Sequence, residues 1–173
     1  MTTRPLAAIE WIIVHHTASA DKWSTHDTLA EHQRATGLGY HATIDDDAVF
    51  QAKAAGHDGR WTFKQHAPLT VKVNGAAGCN YAGAHVAVDG NSDQLVTEDE
   101  KMCLVQVVVA WCRQLGWTKA DVLGTKTKPS RIQGHRFVGL HISATKYGTA
   151  CPGEALIDFL PELRRRVAAY LPN

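Results

Sequence analysis

Apolar residues along the chain follow two rhythms. In the first, a short continuous run, Trp11-Ile12-Ile13-Val14, leads straight into His15 and His16 and then into the small polar tail Thr17-Ala18-Ser19. A run this short, rich in β-branched side chains and without helical spacing, predicts a buried strand. Such a strand carries its last imidazoles from the core to the rim of a sheet, where ligands bind in open α/β architectures. AGAHVAV, from Ala82 to Val88, predicts a further strand that Asp89-Gly90 ends, and Arg131-Ile132-Gln133 predicts a short one leading into Gly134-His135. HATI from His41 and AVFQA from Ala48 predict a hairpin around the turn Asp45-Asp46-Asp47.

The second rhythm is helical. Thr97 followed three residues later by Glu100 forms a capping box, with acids in the first turn where the helix dipole favours them. The helix it opens should run to about Leu115, with Met102, Val105, Val108, Val109 and Cys112 on its buried stripe and Gly116 as its stop. Thr25 to Thr36 predicts a short helix capped at Ser24 or Thr25, and Glu154 to Leu171 a terminal one that Pro161 should break or restart. Ala54 to Gly78 has no sustained period and reads as a long surface loop, with a possible strand at Leu69 to Val73; Val122 to Ser130 reads as a turn-rich connection. The sum is a single α/β domain over residues 1–173, a central mixed sheet flanked by about three helices.

Composition adds exclusions more than identity. Lys and Arg number 18 against 17 Asp and Glu, so the formal charge of +1 offers no electrostatic case for nucleic acid or an anionic membrane as partner. No apolar run approaches the roughly 18 residues that a membrane span needs, and Met1 to Glu10 lacks the apolar core of a signal peptide. Synthesis in the cytoplasm is therefore expected, for this chain or for a longer one of which it is a domain. Cys79, Cys103, Cys112 and Cys151 do not form a disulfide framework in a chain of this size; Cys103 and Cys112 lie on opposite faces of one predicted helix and read as small buried hydrophobes. Oligomeric state is not readable, and a monomer is assumed.

The candidate chemistry combines distant positions. His15 or His16 ends the first strand, His135 follows a late strand in QGHR, and Cys151 sits in TACPG, where a Pro-Gly turn precedes the last helix. Two imidazoles and a thiolate are a credible ligand set for zinc, and a fourth position left to water would make the site catalytic. The same residues also allow a thiol hydrolase with Cys151 as nucleophile and His135 as its base.

IVHHTAS, GYH, GHR and TACPG, in that order with α/β segments between them, resemble the zinc-dependent N-acetylmuramoyl-L-alanine amidases, a family that includes phage lysozyme of the T7 type and the peptidoglycan recognition proteins. The resemblance spans roughly Ile9 to Leu171. It implies the peptidoglycan recognition protein-like fold and hydrolysis of the bond between N-acetylmuramic acid and L-alanine, by the catalytic part of a phage endolysin or a bacterial autolysin. It further implies zinc held by His15, His135 and Cys151, with Tyr40 and Thr149 as the catalytic polar pair. His16, His41, His57 and His85 become candidates for substrate contact, and His85 stands where some relatives carry a catalytic glutamate. A member lacking activity would instead bind peptidoglycan without cutting it, although the full ligand set argues for cutting. One departure is the sixteen-residue separation of His135 and Cys151, about twice that of many relatives. The extra residues, 138–146, contain a rival ligand in His141 and are expected to loop over the site and serve substrate binding more than zinc.

Overall fold

Alternate residues of the first strand face two different cores. In the computed structural model, which describes residues 2–17, 39–45, 62–90, 95–143 and 146–173, β1 is Trp11–His16. Ile12 and Val14 join the main apolar core, whereas Ile13 joins a smaller cluster with Ala76, Cys79 and Val138. Burial on both faces explains why the run is continuously apolar instead of alternating. β1 lies inside a five-stranded sheet of order β3 (Thr62–Gln65), β2 (Ala42–Asp45), β4 (Gly83–Val88), β1, β5 (Ile132–Gly134). β2, β4, β1 and β5 run parallel, and β3 is an antiparallel edge.

β2 falls where the hairpin's first arm was expected, and its antiparallel partner here is β3, drawn from the stretch read as loop. The expected second arm, AVFQA, and the expected helix at Thr25 to Thr36 lie outside the described residues. Leu69 to Val73 is not a strand: Val71 makes one isolated bridge to Thr3, and Leu69 is fully buried with its carbonyl taken by Arg4 Nε at 3.0 Å. A buried guanidinium thus satisfies backbone groups that a strand partner would otherwise have had to satisfy.

Helix α1, Glu98–Gln114, begins with the expected capping box on Thr97, and Gly116 follows its end with φ +68°. It is buried on more sides than one stripe provides, because it packs on the sheet and against the C-terminal helix. Cys103, Leu104, Val107 and Trp111 are therefore buried as well, while Met102, expected inside, is 48% exposed. A second short helix, α2 (Lys119–Leu123), opened by a capping box from Thr118 to Asp121, was not expected and overlaps the region read as turns only at Val122 and Leu123. The C-terminal helix α3, Glu154–Ala168, runs through Pro161 without a break. Pro161 is exposed, so the carbonyl four residues back is left on the side that water reaches, which offsets the lost hydrogen bond. After β5, His135–Phe137 forms a helical turn that continues as a π-type turn over Val138–Ile142. Among the described residues no helix is long and apolar enough to cross a membrane.

Candidate metal centre

The register of the parallel strands assembles a row of histidines on one face of the sheet. Ile13 of β1 pairs with His85 of β4, so His15, two residues on, shares that face. His41 lies one residue before the Ala42–Val86 pair and His135 one residue after the Val14–Gly134 pair, which sets both on the same side. His15 and His135 stand at the carboxyl ends of β1 and β5, the rim expected for a ligand site. Cys151 reaches them from the turn before α3. A Cβ on Gly134 would lie 3.0 Å from Cδ of Pro152, so the glycine of QGHR is what lets the CPG turn dock on β5.

Ligand atoms of His15, His135 and Cys151 all lie within 4.8 Å of one another. Cys151 Sγ is 3.6 Å from His15 Nδ1. A tetrahedral ion about 2.3 Å from sulfur and about 2.0 to 2.1 Å from nitrogen would span an S···N edge of about 3.6 Å, so this donor pair has the separation that zinc requires. The His15 and His135 rings are also close, with centroids 4.5 Å apart and planes inclined at 53°.

Burial sets the charge of these groups. His15 is held well below the ordinary imidazole range, first by desolvation and then by His85 and His135 nearby; desolvation, with His16, lowers His135 to about 4. Both are neutral lone-pair donors at physiological pH. Burial pushes the Cys151 thiol up to about 12, against the opposing pull of the His16 backbone N–H, which donates to Sγ at 3.4 Å. A thiol among neutral imidazoles is a pocket that favours an added cation, and binding one draws the proton off the sulfur.

The family model for N-acetylmuramoyl-L-alanine amidases matches residues 5–154. The chain belongs to this family. A sequence search of curated proteins returns no match. Similar solved structures include an N-acetylmuramoyl-L-alanine amidase, LysC, from Clostridium intestinale, at 18% identity and TM-score 0.62 over 94% of this chain and 89% of that one. The hydrolase AmiA of Staphylococcus aureus gives TM-score 0.69 at 14% identity, over 97% of this chain and 78% of its own. The Ph2119 endolysin of a Thermus scotoductus bacteriophage gives 0.61 at 16% identity, over 94% and 88%. At these identities the likeness establishes the fold, which these amidases share with peptidoglycan recognition proteins such as that of Drosophila.

Within this family member the remaining expected residues separate by depth. Tyr40 is half-buried beside His15, ring centroids 5.1 Å apart, and its hydroxyl donates to the His16 carbonyl at 3.4 Å. Desolvation raises its pKa, so it remains a proton donor at any physiological pH. Thr149 Oγ1 accepts the Cys151 backbone N–H at 3.2 Å, which leaves its own proton to give. His16 is 8% exposed. The expectation that His41 and His85 touch substrate is revised by their complete burial beneath the site. His57 lies outside the described residues. His141 is exposed and packs on Phe137, ring centroids 4.7 Å apart, and is not part of the His15, His135 and Cys151 cluster.

His85 instead backs His15: its Nδ1 is 3.0 Å from His15 Nε2. With Nδ1 of His15 turned to Cys151, Nε2–H of His15 donates to His85, whose own proton then sits on Nε2, buried and without a partner. An unpaired buried donor costs about 1–3 kcal/mol. His41 Nδ1 accepts the His85 backbone N–H at 2.9 Å, so its Nε2–H donates to the Val71 carbonyl at 2.9 Å. Arg4 Nη2, close to that same nitrogen, gives its hydrogen bond to the Gly83 carbonyl at 2.8 Å.

Two residues at the site were not anticipated. Arg136, the arginine of GHR, donates from its side chain to the Thr149 and Ala150 carbonyls and from its backbone to Cys151, tying the cysteine turn to His135. Its place in the motif was a visible signal. Tyr147, whose hydroxyl meets His135 Nε2, carries no sequence signal, because its position depends on the π-type turn before it.

Proposed function

We propose that the chain is a zinc-dependent hydrolase of the amide bond between N-acetylmuramic acid and L-alanine in peptidoglycan. The observation that carries this reading is the convergence of His15, His135 and Cys151 at zinc-compatible spacing in a member of the N-acetylmuramoyl-L-alanine amidase family. His15, His135 and Cys151 hold the ion. When bound, zinc supplies Lewis acidity toward the scissile carbonyl and brings the pKa of a water to about 7. The Tyr40 hydroxyl, kept protonated by burial, and the Thr149 hydroxyl supply hydrogen bonds to the oxygen that gains charge as the carbonyl is attacked. His16 borders the site through its backbone, its N–H on the Cys151 sulfur and its carbonyl on the Tyr40 hydroxyl.

A thiol hydrolase is the weaker reading. A nucleophilic cysteine needs its pKa depressed, and burial moves Cys151 the opposite way. Similar structures described as endolysins and amidases favour a wall-lysing role. The test is elemental analysis of the purified protein together with cell-wall digestion before and after chelation. About one zinc per chain, with stem-peptide release lost on chelation and restored by zinc, supports the proposal. Activity without metal would transfer the role to Cys151, and metal without cleavage would leave a binding module.

A further inference from the structure

One contact at the site has no part in the chemistry above. The Tyr147 hydroxyl lies 2.5 Å from His135 Nε2, with the two rings edge to face at 5.6 Å. A hydrogen bond this short occupies that nitrogen, so His135 has Nδ1 left to offer. His15 shows the same division, with Nε2 engaged by His85 and Nδ1 facing the Cys151 sulfur.

The reach of Tyr147 is built into the residues that lengthen the chain between His135 and Cys151. A Cβ on Gly139 would lie 2.6 Å from the Tyr147 carbonyl oxygen and 3.1 Å from its ring carbon Cε2, so the phenol rests on backbone that only glycine leaves bare. Ser143, fully buried, closes the π-type turn by donating its N–H to the Val138 carbonyl at 2.7 Å, and its hydroxyl anchors the segment to the Ala77 carbonyl at 3.0 Å.

We propose that Tyr147 is a positioning residue: it holds His135 by Nε2 so that Nδ1 faces His15 and Cys151 as the metal donor. The inference rests on the zinc reading above. With Nδ1 committed to a metal, Nε2–H donates to the phenol oxygen, which fixes the ring's orientation and tautomer. Losing such an outer partner typically costs about 10 to 100-fold in metal affinity. Residues 138–143 and Tyr147 then serve the metal site, whereas the sequence suggested a part in substrate binding.

The test is zinc affinity, measured by competition with a chromogenic chelator, and the visible spectrum of the cobalt-substituted protein, for the unaltered chain, Tyr147→Phe and Gly139→Ala. Tyr147→Phe should weaken zinc by about 10 to 100-fold and alter the cobalt spectrum while circular dichroism is unchanged. Gly139→Ala should move affinity in the same direction by displacing the phenol. Unchanged affinity in Tyr147→Phe overturns the inference. Tighter binding overturns it too, since the hydroxyl would then be competing with the metal for Nε2. Failure of the unaltered chain to bind zinc removes the metal reading itself, and that result is seen before any variant is compared.

Discussion

Each of the three candidate ligands is made competent by a different neighbour. His15 is backed by His85, His135 by Tyr147, and the Cys151 sulfur receives the His16 backbone N–H. Substitutions should therefore separate metal binding from catalysis. Cys151→Ser is expected to lose most of the bound zinc and nearly all activity. Tyr40→Phe should keep the metal and lose about 100 to 1,000-fold in turnover, the usual effect of removing one donor to a developing oxyanion. Zinc content and single-turnover rates of the two proteins decide the matter, and full turnover in Tyr40→Phe would remove Tyr40 from the reaction.

Among the elements, strands and capped helices were legible where local chemistry specified them. WIIVHH and GAHVAV gave the two central strands, and Thr97 with Glu100 gave the start of α1. What the chain order concealed was tertiary. Because α1 packs on two sides its buried set is wider than one stripe, yet Met102 falls outside it, and the break at Pro161 failed because that face of α3 is exposed. β3 was unreadable in a stretch without a period, its strand state being conferred by pairing with β2. The site divides likewise. His15, His135 and Cys151 stood out through motifs, whereas the depth of His41 and His85 depended on strand register, and Tyr147 on a π-type turn. Helix α1 also offers a control remote from the chemistry: Thr97→Ala should lower unfolding stability by about 1 kcal/mol, read from a urea midpoint, and leave zinc affinity unchanged.

For the molecule as a whole, a row of buried neutral histidines makes folding sensitive to acid. His41 is lowered to about 4 by desolvation, with the Arg4 guanidinium acting in the same direction and a hydrogen bond to Val71 opposing it. The unfolded chain takes up that proton near pH 6.5, so between these values it binds a proton that the folded chain refuses. This stabilising contribution is fully present above about pH 6.5 and is lost as the pH falls toward about 4. Each such histidine costs about 1.4 kcal/mol per pH unit across the window, and His15 and His85 shift in the same direction. Urea midpoints of chelator-treated protein should decline steadily from pH 7 to pH 5. A flat profile would mean that the row is hydrated.

The position of β1 between two parallel neighbours puts one candidate ligand, His15, on a strand paired along both edges, while another, Cys151, comes from a turn. His15 is paired with Ala87 of β4, one residue past the end of the β5 ladder at Val14, so its backbone moves only with the sheet. Cys151, on its turn, and Tyr147 lie in irregular backbone between the π-type turn and α3. An ion held by the proposed ligands should therefore be released first from Cys151, with His15 the last to let go.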